Sequence, residues 1–163
     1  GTPVEQASAC YALGNTYLSN GKPELAEECF AGTIAICAEN NTQALLAMAL
    51  VNLGVALQRL GRVDESVECF ETARRTFRAL NNRPGEAFVL DNKAATLAAA
   101  KRNDQAEAAW SEALQVFDTI TAPSFARLRE QGREDILDKL GRFYKATGQK
   151  HKLGAIQKSG RNS

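Results

Sequence analysis

The side chains best suited to hold another molecule are asparagines that recur at a fixed spacing. Asn52 and Asn92 are separated by one period of a repeating pattern, and Asn15 lies in the corresponding part of the chain before them. An asparagine amide both donates and accepts hydrogen bonds, so stacked amides can hold the backbone of an extended peptide. The chemistry that this pattern predicts is recognition.

The residues that most enzymes use are scarce in this chain. The one histidine, His151, lies in a polar, basic stretch, and none of the four cysteines (Cys10, Cys29, Cys37 and Cys69) forms a C-x-x-C pair. Zinc sites need closely spaced ligands, and phosphate loops need a glycine-rich motif. We therefore expect no catalysis, no metal and no cofactor. The cysteines are predicted to be buried and reduced, which favours a cytoplasmic location.

A repeating period determines where these side chains lie. Leu13-Gly14 recurs as Leu53-Gly54, and Cys29-Phe30 recurs as Cys69-Phe70; the same step leads on to Trp110. The period of about 40 residues is typical of stacked repeat proteins, in which each unit contacts only its neighbours.

Each period divides into two helices. Small and apolar residues recur at i, i+4, i+7 and i+11 in the second half of every period, which is the spacing of one helix face. Gly, Asn and Pro residues lie at the breaks, and Asp104 is the expected N-cap of the sixth helix. The predicted helices span about 4–20, 23–38, 43–60, 64–80, 85–101, 104–119, 124–147 and 149–158.

Two mid-helix glycines indicate close helix packing. Gly14 and Gly54 lie at the same phase, where glycine costs about 1 kcal/mol relative to alanine. Their recurrence predicts that a partner helix approaches closely. Phe30, Phe70 and Trp110 are expected to fill the space between successive helix pairs.

These residues resemble the tetratricopeptide repeat, whose pattern is Leu-Gly, an aromatic three positions on, an alanine in the second helix and an aromatic four further. The matching residues are Leu13, Gly14, Tyr17, Ala26 and Phe30 in the first unit, Leu53, Gly54, Leu57, Ser66 and Phe70 in the second, and Leu97, Ala106 and Trp110 in the third. Units of this length are similar to those of kinesin light chains, Leu-Gly-Asn-repeat adaptors and the sensor regions of bacterial regulators.

The resemblance implies an all-α, right-handed superhelical solenoid of antiparallel helix pairs. Three pairs would span 1–120, a long C-terminal helix with a short capping helix would span 121–158, and 159–163 would be a disordered tail. The first helix of each unit would line a concave groove that binds a peptide or helix of another protein. The candidate peptide-binding residues are Tyr11, Asn15, Met48, Asn52, Val55, Arg59, Phe88 and Asn92.

Within this set, Phe88 and Met48 would form apolar pockets and Arg59 would meet a carboxylate. Two alternatives give single residues a structural role: the asparagines would bridge neighbouring helices, and Phe88 and Met48 would belong to the core. Two further alternatives concern the function of the whole chain. It would be a regulatory sensor segment of a larger bacterial transcription factor, or a self-association module. Tyr11, Phe88 and Asn92 replace the cations of chaperone-binding members, so an acidic chaperone tail is not the expected ligand.

Charge is divided unevenly along the chain. Residues 1–120 contain ten basic and fifteen acidic residues, whereas residues 121–163 contain ten basic and four acidic residues. Because the acids interleave with the basic residues, we interpret this segment as a solvated cap and do not expect nucleic-acid binding. We expect no membrane span, because every apolar run is shorter than the length of about 18 residues that a spanning helix needs. The first residues also lack signal-peptide features.

Overall fold

A computed structural model describes the backbone of residues 1–161 and the side chains of residues 1–158. Six helices form three antiparallel pairs: α1 (Pro3–Ser19), α2 (Pro23–Glu39), α3 (Gln43–Arg59), α4 (Val63–Ala79), α5 (Arg83–Ala99) and α6 (Asn103–Asp118). A 3-10 turn at Pro123–Phe125 precedes α7 (Ala126–Ala146), and another at Lys150–Lys152 precedes α8 (Leu153–Arg161). The first six predicted helices differ from these bounds by at most two residues, and the all-α fold is confirmed.

One residue in each turn of the array adopts a left-handed backbone conformation. These residues recur at a constant step: Gly21, Asn41, Gly61, Asn81 and Lys101, with φ between 54° and 77°. The next amide donates back across the helix end, as in Lys22 N to Tyr17 O at 2.9 Å. Glycine and asparagine adopt this conformation at low cost, which is why they mark the turns in the sequence.

Two helix ends differ from the expectation. Helix α6 begins at Asn103, and its N-cap is Arg102 without a side-chain cap. Asp104 is therefore not the N-cap; it lies in the first turn, where a carboxylate still suits the helix dipole. At the C-terminus, α8 continues to Arg161, so the first three residues of the expected tail 159–163 are helical, and 162–163 lie outside the described residues.

The backbones of the first helices of successive units approach one another more closely than those of the second helices. Close backbone contacts join α1 to α3, α3 to α5 and α5 to α7, whereas α4 and α6 are linked by long side chains, as in the ion pair between Arg74 and Glu112. The array therefore curves with its odd-numbered helices on the inner face. Such curvature produces the extended binding surface of solenoid proteins.

Close packing within each pair depends on the mid-helix glycines, as predicted. A Cβ on Gly14 would lie 2.7 Å from the ring of Phe30, and a Cβ on Gly54 would lie 2.7 Å from the ring of Phe70. Both rings are fully buried. In the third unit Trp110 takes the aromatic position and packs edge-on against Phe143 of α7, with ring centroids 5.3 Å apart.

A buried carboxylate joins α4 to α5. Glu86 is 0% exposed, and it accepts hydrogen bonds from Arg78 Nε and Arg83 Nη1, each at 2.9 Å. A charge in the interior is tolerated only when it is paired and hydrogen-bonded. This cluster therefore holds the start of α5, and with it the inner-face residue Phe88, against α4.

Ion pairs attach the basic C-terminal segment to the acidic third unit. The pairs are Lys139 with Asp91, Arg133 with Asp118 and Lys152 with Glu107. Tyr144 also donates to Glu107 at 2.7 Å, and its burial together with this hydrogen bond raises the pKa of Tyr144 to about 12. Much of the charge asymmetry is thus complementarity within the chain.

Candidate functional site

Asn52, the centre of the predicted asparagine row, is bound to the neighbouring first helix. Its Nδ2 donates to Asn15 Oδ1 at 2.7 Å and to Tyr11 Oη at 3.0 Å. An amide nitrogen has two protons, so both donors are used between α1 and α3. The structure therefore brings Tyr11, Asn15 and Asn52 together as a bridge, and the carbonyl oxygen of Asn52 is the group left to face a ligand.

Asn92 does not join this bridge. Its Nδ2 donates to Phe88 O, one turn earlier in the same helix, at 2.9 Å. The three asparagines therefore form one linked pair and one separate residue, because the positions one period after Tyr11 and Asn15 are held by the apolar residues Val51 and Val55.

Arg59 and Val55 lie at the C-terminal half of α3. Arg59 is exposed, and its guanidinium donates to the carbonyl of Leu18 near the end of α1. This carbonyl also accepts from Gly21 N at 3.2 Å, so the guanidinium adds a second hydrogen bond at the end of a helix, where positive charge suits the dipole. Val55 is half-buried and packs against the cores around Phe30 and Phe70, so it contributes more to packing than to the surface.

Met48 and Phe88 occupy equivalent positions in the second and third units, and both are exposed. Phe88 is 58% exposed and Met48 is 45% exposed. They are therefore not ordinary core residues, which removes that alternative. Phe88 lines a cleft between α5 and the next first helix, α7.

The cleft between α5 and α7 has a volume of about 290 Å³. Its floor is made by Ala87, Phe117 and Ile136, all buried, and its apolar walls are Phe88 and Leu128. The complete lining, which we call the α5–α7 cleft, is Pro84, Ala87, Phe88, Asp91, Phe117, Leu128, Gln131, Gly132, Asp135 and Ile136.

The floor of the cleft depends on Gly132. A Cβ at this position would lie 2.2 Å from Cζ of Phe117, which is far inside van der Waals contact. Glycine therefore allows α7 to lie directly against the Phe117 ring. A similar contact occurs one unit earlier, where a Cβ on Gly85 would lie 2.7 Å from the ring of Phe77.

A second hollow of about 760 Å³ continues from the cleft and shares Pro84 and Leu128 with it. Leu80 and Phe125 line this hollow, and their exposed fractions are 43% and 47%. Phe88, Leu128, Phe125 and Leu80 together form what we call the apolar strip. Contiguous exposed apolar surface of this kind marks an interaction site.

The polar groups of the cleft are two aspartates and one glutamine. Asp91 accepts from Trp110 Nε1 at 2.9 Å and pairs with Lys139. Asp135 is exposed and accepts only from the neutral Gln131, at 3.3 Å, among the described residues. The lining thus has one carboxylate that no cation of the described chain neutralises.

Within the described residues no group of three or more His, Cys, Asp or Glu could hold a metal ion. The four cysteines are free thiols, and only Cys37 is buried, so the expectation that all four are buried is wrong. Burial raises the pKa of the Cys69 thiol to about 11, which lowers its nucleophilicity.

Two family models described as tetratricopeptide repeat match residues 7–37 and 45–119, together more than half of the chain. The chain belongs to the tetratricopeptide repeat superfamily. Its arrays are protein-interaction modules and are typically non-catalytic. No curated protein matches the sequence, and no helix among the described residues is long and apolar enough to cross a membrane.

Solved structures confirm the solenoid fold. BtubC (BKLC) from P. vanneervenii is similar to this tetratricopeptide array with a TM-score of 0.81 at 20% identity, over 99% of this chain and 64% of that one. The array thus spans less than two thirds of BtubC. A putative kinesin light chain from Podosopora anserina, with nearly identical TPR-like repeats, gives a TM-score of 0.62 at 16% identity over 99% and 95% of the two chains.

Sequence reasoning missed the α7 side of the cleft because it treated this helix as a polar cap. Leu140-Gly141 repeats the Leu-Gly pair seven residues out of step with the first two units. The original repeat step nevertheless continues from Met48 and Phe88 to Leu128. Extending that step would have identified the second wall of the cleft.

Proposed function

We propose that this tetratricopeptide array docks a peptide or helix of a partner protein on its inner face, with a large apolar side chain inserted into the α5–α7 cleft. The observation that carries this proposal is the position of Phe88 and Leu128. Both side chains are exposed, and they lie on either side of a cleft whose floor is apolar. Its volume of about 290 Å³ lies at the bottom of the range of small-molecule pockets. The cleft therefore suits one anchoring side chain better than a whole ligand.

The asparagines have different roles in this arrangement. Asn52 aligns α1 with α3 through its bonds to Tyr11 and Asn15, and its free carbonyl oxygen accepts from the peptide backbone. Asn92, one turn from Phe88, contacts the backbone beside the anchor. Met48 extends the surface towards α3 as a shallower apolar contact.

The location that we propose is the cytoplasm. Four free thiols in 163 residues suit a reducing compartment, where disulfides are rare.

The test is selection of binders from a displayed random peptide library, followed by affinity measurement on Phe88→Ala. The single tryptophan, Trp110, is bonded to the cleft residue Asp91, so its emission reports occupancy. Truncating a central aromatic residue of an interface typically costs about 2 kcal/mol or more, so we expect the loss of the Phe88 wall to lower affinity by about thirtyfold. The matched control is Leu25→Ala on α2, which truncates an exposed apolar residue outside the inner face and should bind as wild type.

Two results would contradict the proposal. One is a library selection that yields no specific binder. The other is a set of binders whose affinity is the same for Phe88→Ala and the wild type while helix content is unchanged.

Self-association is a second candidate, and the first unit favours it. Leu13 is 46% exposed, whereas its equivalent Leu53 packs against the Phe30 core. Stacking of a second copy on this end would bury Leu13. Light scattering across a hundredfold concentration range, with Leu13→Glu as the comparison, distinguishes this candidate from a monomer.

A further inference from the structure

We infer that the docked segment is basic as well as apolar, and that a lysine or arginine close to its anchor pairs with Asp135. This inference rests on the proposed docking in the α5–α7 cleft, because it assigns the chemistry of the partner at that same site.

The cleft itself presents one unneutralised charge. Lys139 and Trp110 already engage Asp91, and Gln131 is neutral. Asp135 is exposed, and its one contact within the described residues is with that glutamine. An anchored peptide would therefore bring its next side chain against a carboxylate with no cation of its own.

Acidic residues are concentrated around Asp135, although α7 as a whole contains six basic and four acidic residues. All four acids of residues 121–163 lie in α7, within nine consecutive positions: Glu130, Glu134, Asp135 and Asp138. Arg129 and Arg142 pair with the first and last of these. Glu134 and Asp135 have no cation among the described side chains, and Arg127, two turns away, lines neither the cleft nor the adjoining hollow.

The local charge selects against acidic partners as much as for basic ones. Like charges facing each other across an interface cost affinity, and complementary charges raise the association rate. An acidic peptide would meet the carboxylate of Asp135 at the cleft, whereas a basic peptide would gain an ion pair there.

The spacing between anchor and cation follows from α7. Leu128 and Asp135 are seven residues apart, roughly 10 Å along a helix axis at about 1.5 Å per residue. An extended peptide covers this distance in about three residues, and a helical one in about two turns. The cation is therefore expected within three residues of the anchor in an extended ligand, or within seven in a helix.

The experiment uses two synthetic peptide pools with the same apolar anchors, one with lysine and one with glutamate at the neighbouring positions. Both are titrated into the full chain at low and physiological salt. An exposed ion pair changes affinity by up to about fivefold, so we expect the lysine pool to bind several-fold more tightly, with an advantage that shrinks at higher salt. Asp135→Asn should remove that advantage, and Asp135→Lys should reverse it.

The matched control is Glu134→Gln, which removes the same charge from the next residue of α7 but does not line the cleft. Equal binding of the two pools, preference for glutamate, or an unchanged preference in Asp135→Asn would overturn the inference. If Phe88→Ala still weakens binding in those cases, the docking proposal stands without it. If Phe88→Ala has no effect, both proposals fall.

Discussion

Two glycines in the same helix allow the packing at the base of the cleft to be measured. Gly132 and Gly141 both lie inside α7, so alanine at either position favours the helix by about 1 kcal/mol. At Gly141 a Cβ meets no atom within 4 Å. At Gly132 it would lie 2.2 Å from the Phe117 ring, so the ring or the helix must move by about 1.5 Å to restore normal contact.

The expected stabilities of the two variants follow from the helix preference of alanine and from the steric cost of a Cβ against Phe117. Overpacking of a core contact costs about 1–3 kcal/mol. Gly141→Ala should therefore raise the free energy of unfolding by about 1 kcal/mol, and Gly132→Ala should leave it unchanged or lower it by up to about 2 kcal/mol. The helix-propensity gain cancels between the variants, so their difference of about 1–3 kcal/mol isolates the contact with Phe117.

Urea unfolding followed by Trp110 emission measures this difference, because Trp110 belongs to the same core as Phe117. For a chain of this length each kcal/mol corresponds to a melting shift of about 2–4 °C. Displacement of Phe117 should also deform the cleft, so Gly132→Ala should weaken peptide binding while Gly141→Ala does not. Equal stabilisation by both alanines would refute the reasoning that glycine is needed for this contact.

Two further predictions concern buried polar groups. Glu86→Gln removes the carboxylate that Arg74, Arg78 and Arg83 share. Because Arg78 and Arg83 are partly exposed, the loss of stability should be at the lower end of the range for broken buried pairs, about 3 kcal/mol by urea unfolding; an unchanged midpoint would contradict it. The pKa of Tyr144 is raised to about 12, so in the unfolded chain it ionises first, near its ordinary value of about 10. Its contribution to stability is therefore complete below about pH 10 and is lost as the pH rises towards about 12; the urea midpoint of Tyr144→Phe should fall less than that of the wild type over this interval, and parallel curves would rule out this role.

Local chemistry made the repeat architecture readable from the sequence. Left-handed turns accept glycine and asparagine readily, so the turns at Gly21 and Asn41 are visible as residue types. The mid-helix glycines were equally informative, because their cost in a helix must be offset by close packing. These signals depend on neighbouring residues or on residues one period away, which is why helix bounds and pair packing were both predictable.

The partners of polar side chains were not predictable in the same way. Asn52 and Asn92 are equivalent by period, yet Asn52 binds Tyr11 and Asn15 whereas Asn92 binds its own helix. The difference arises because the residue presented by the preceding first helix changes from Tyr11 to Val51. A period identifies equivalent backbone positions, and the hydrogen bonds at each position depend on what the adjacent unit presents.

By itself the sequence determined that the chain forms stacked helix pairs and, through its resemblance to tetratricopeptide repeats, that the odd-numbered helices face a common side. It also indicated that the chain recognises another protein. Only the tertiary structure decided which part of that side is a binding site. Phe88 becomes the wall of a cleft because α7 supplies Leu128 while Gly132 lets it approach the Phe117 ring. Such a cavity is created by the relative placement of three helices, and no local pattern of residues encodes that placement on its own.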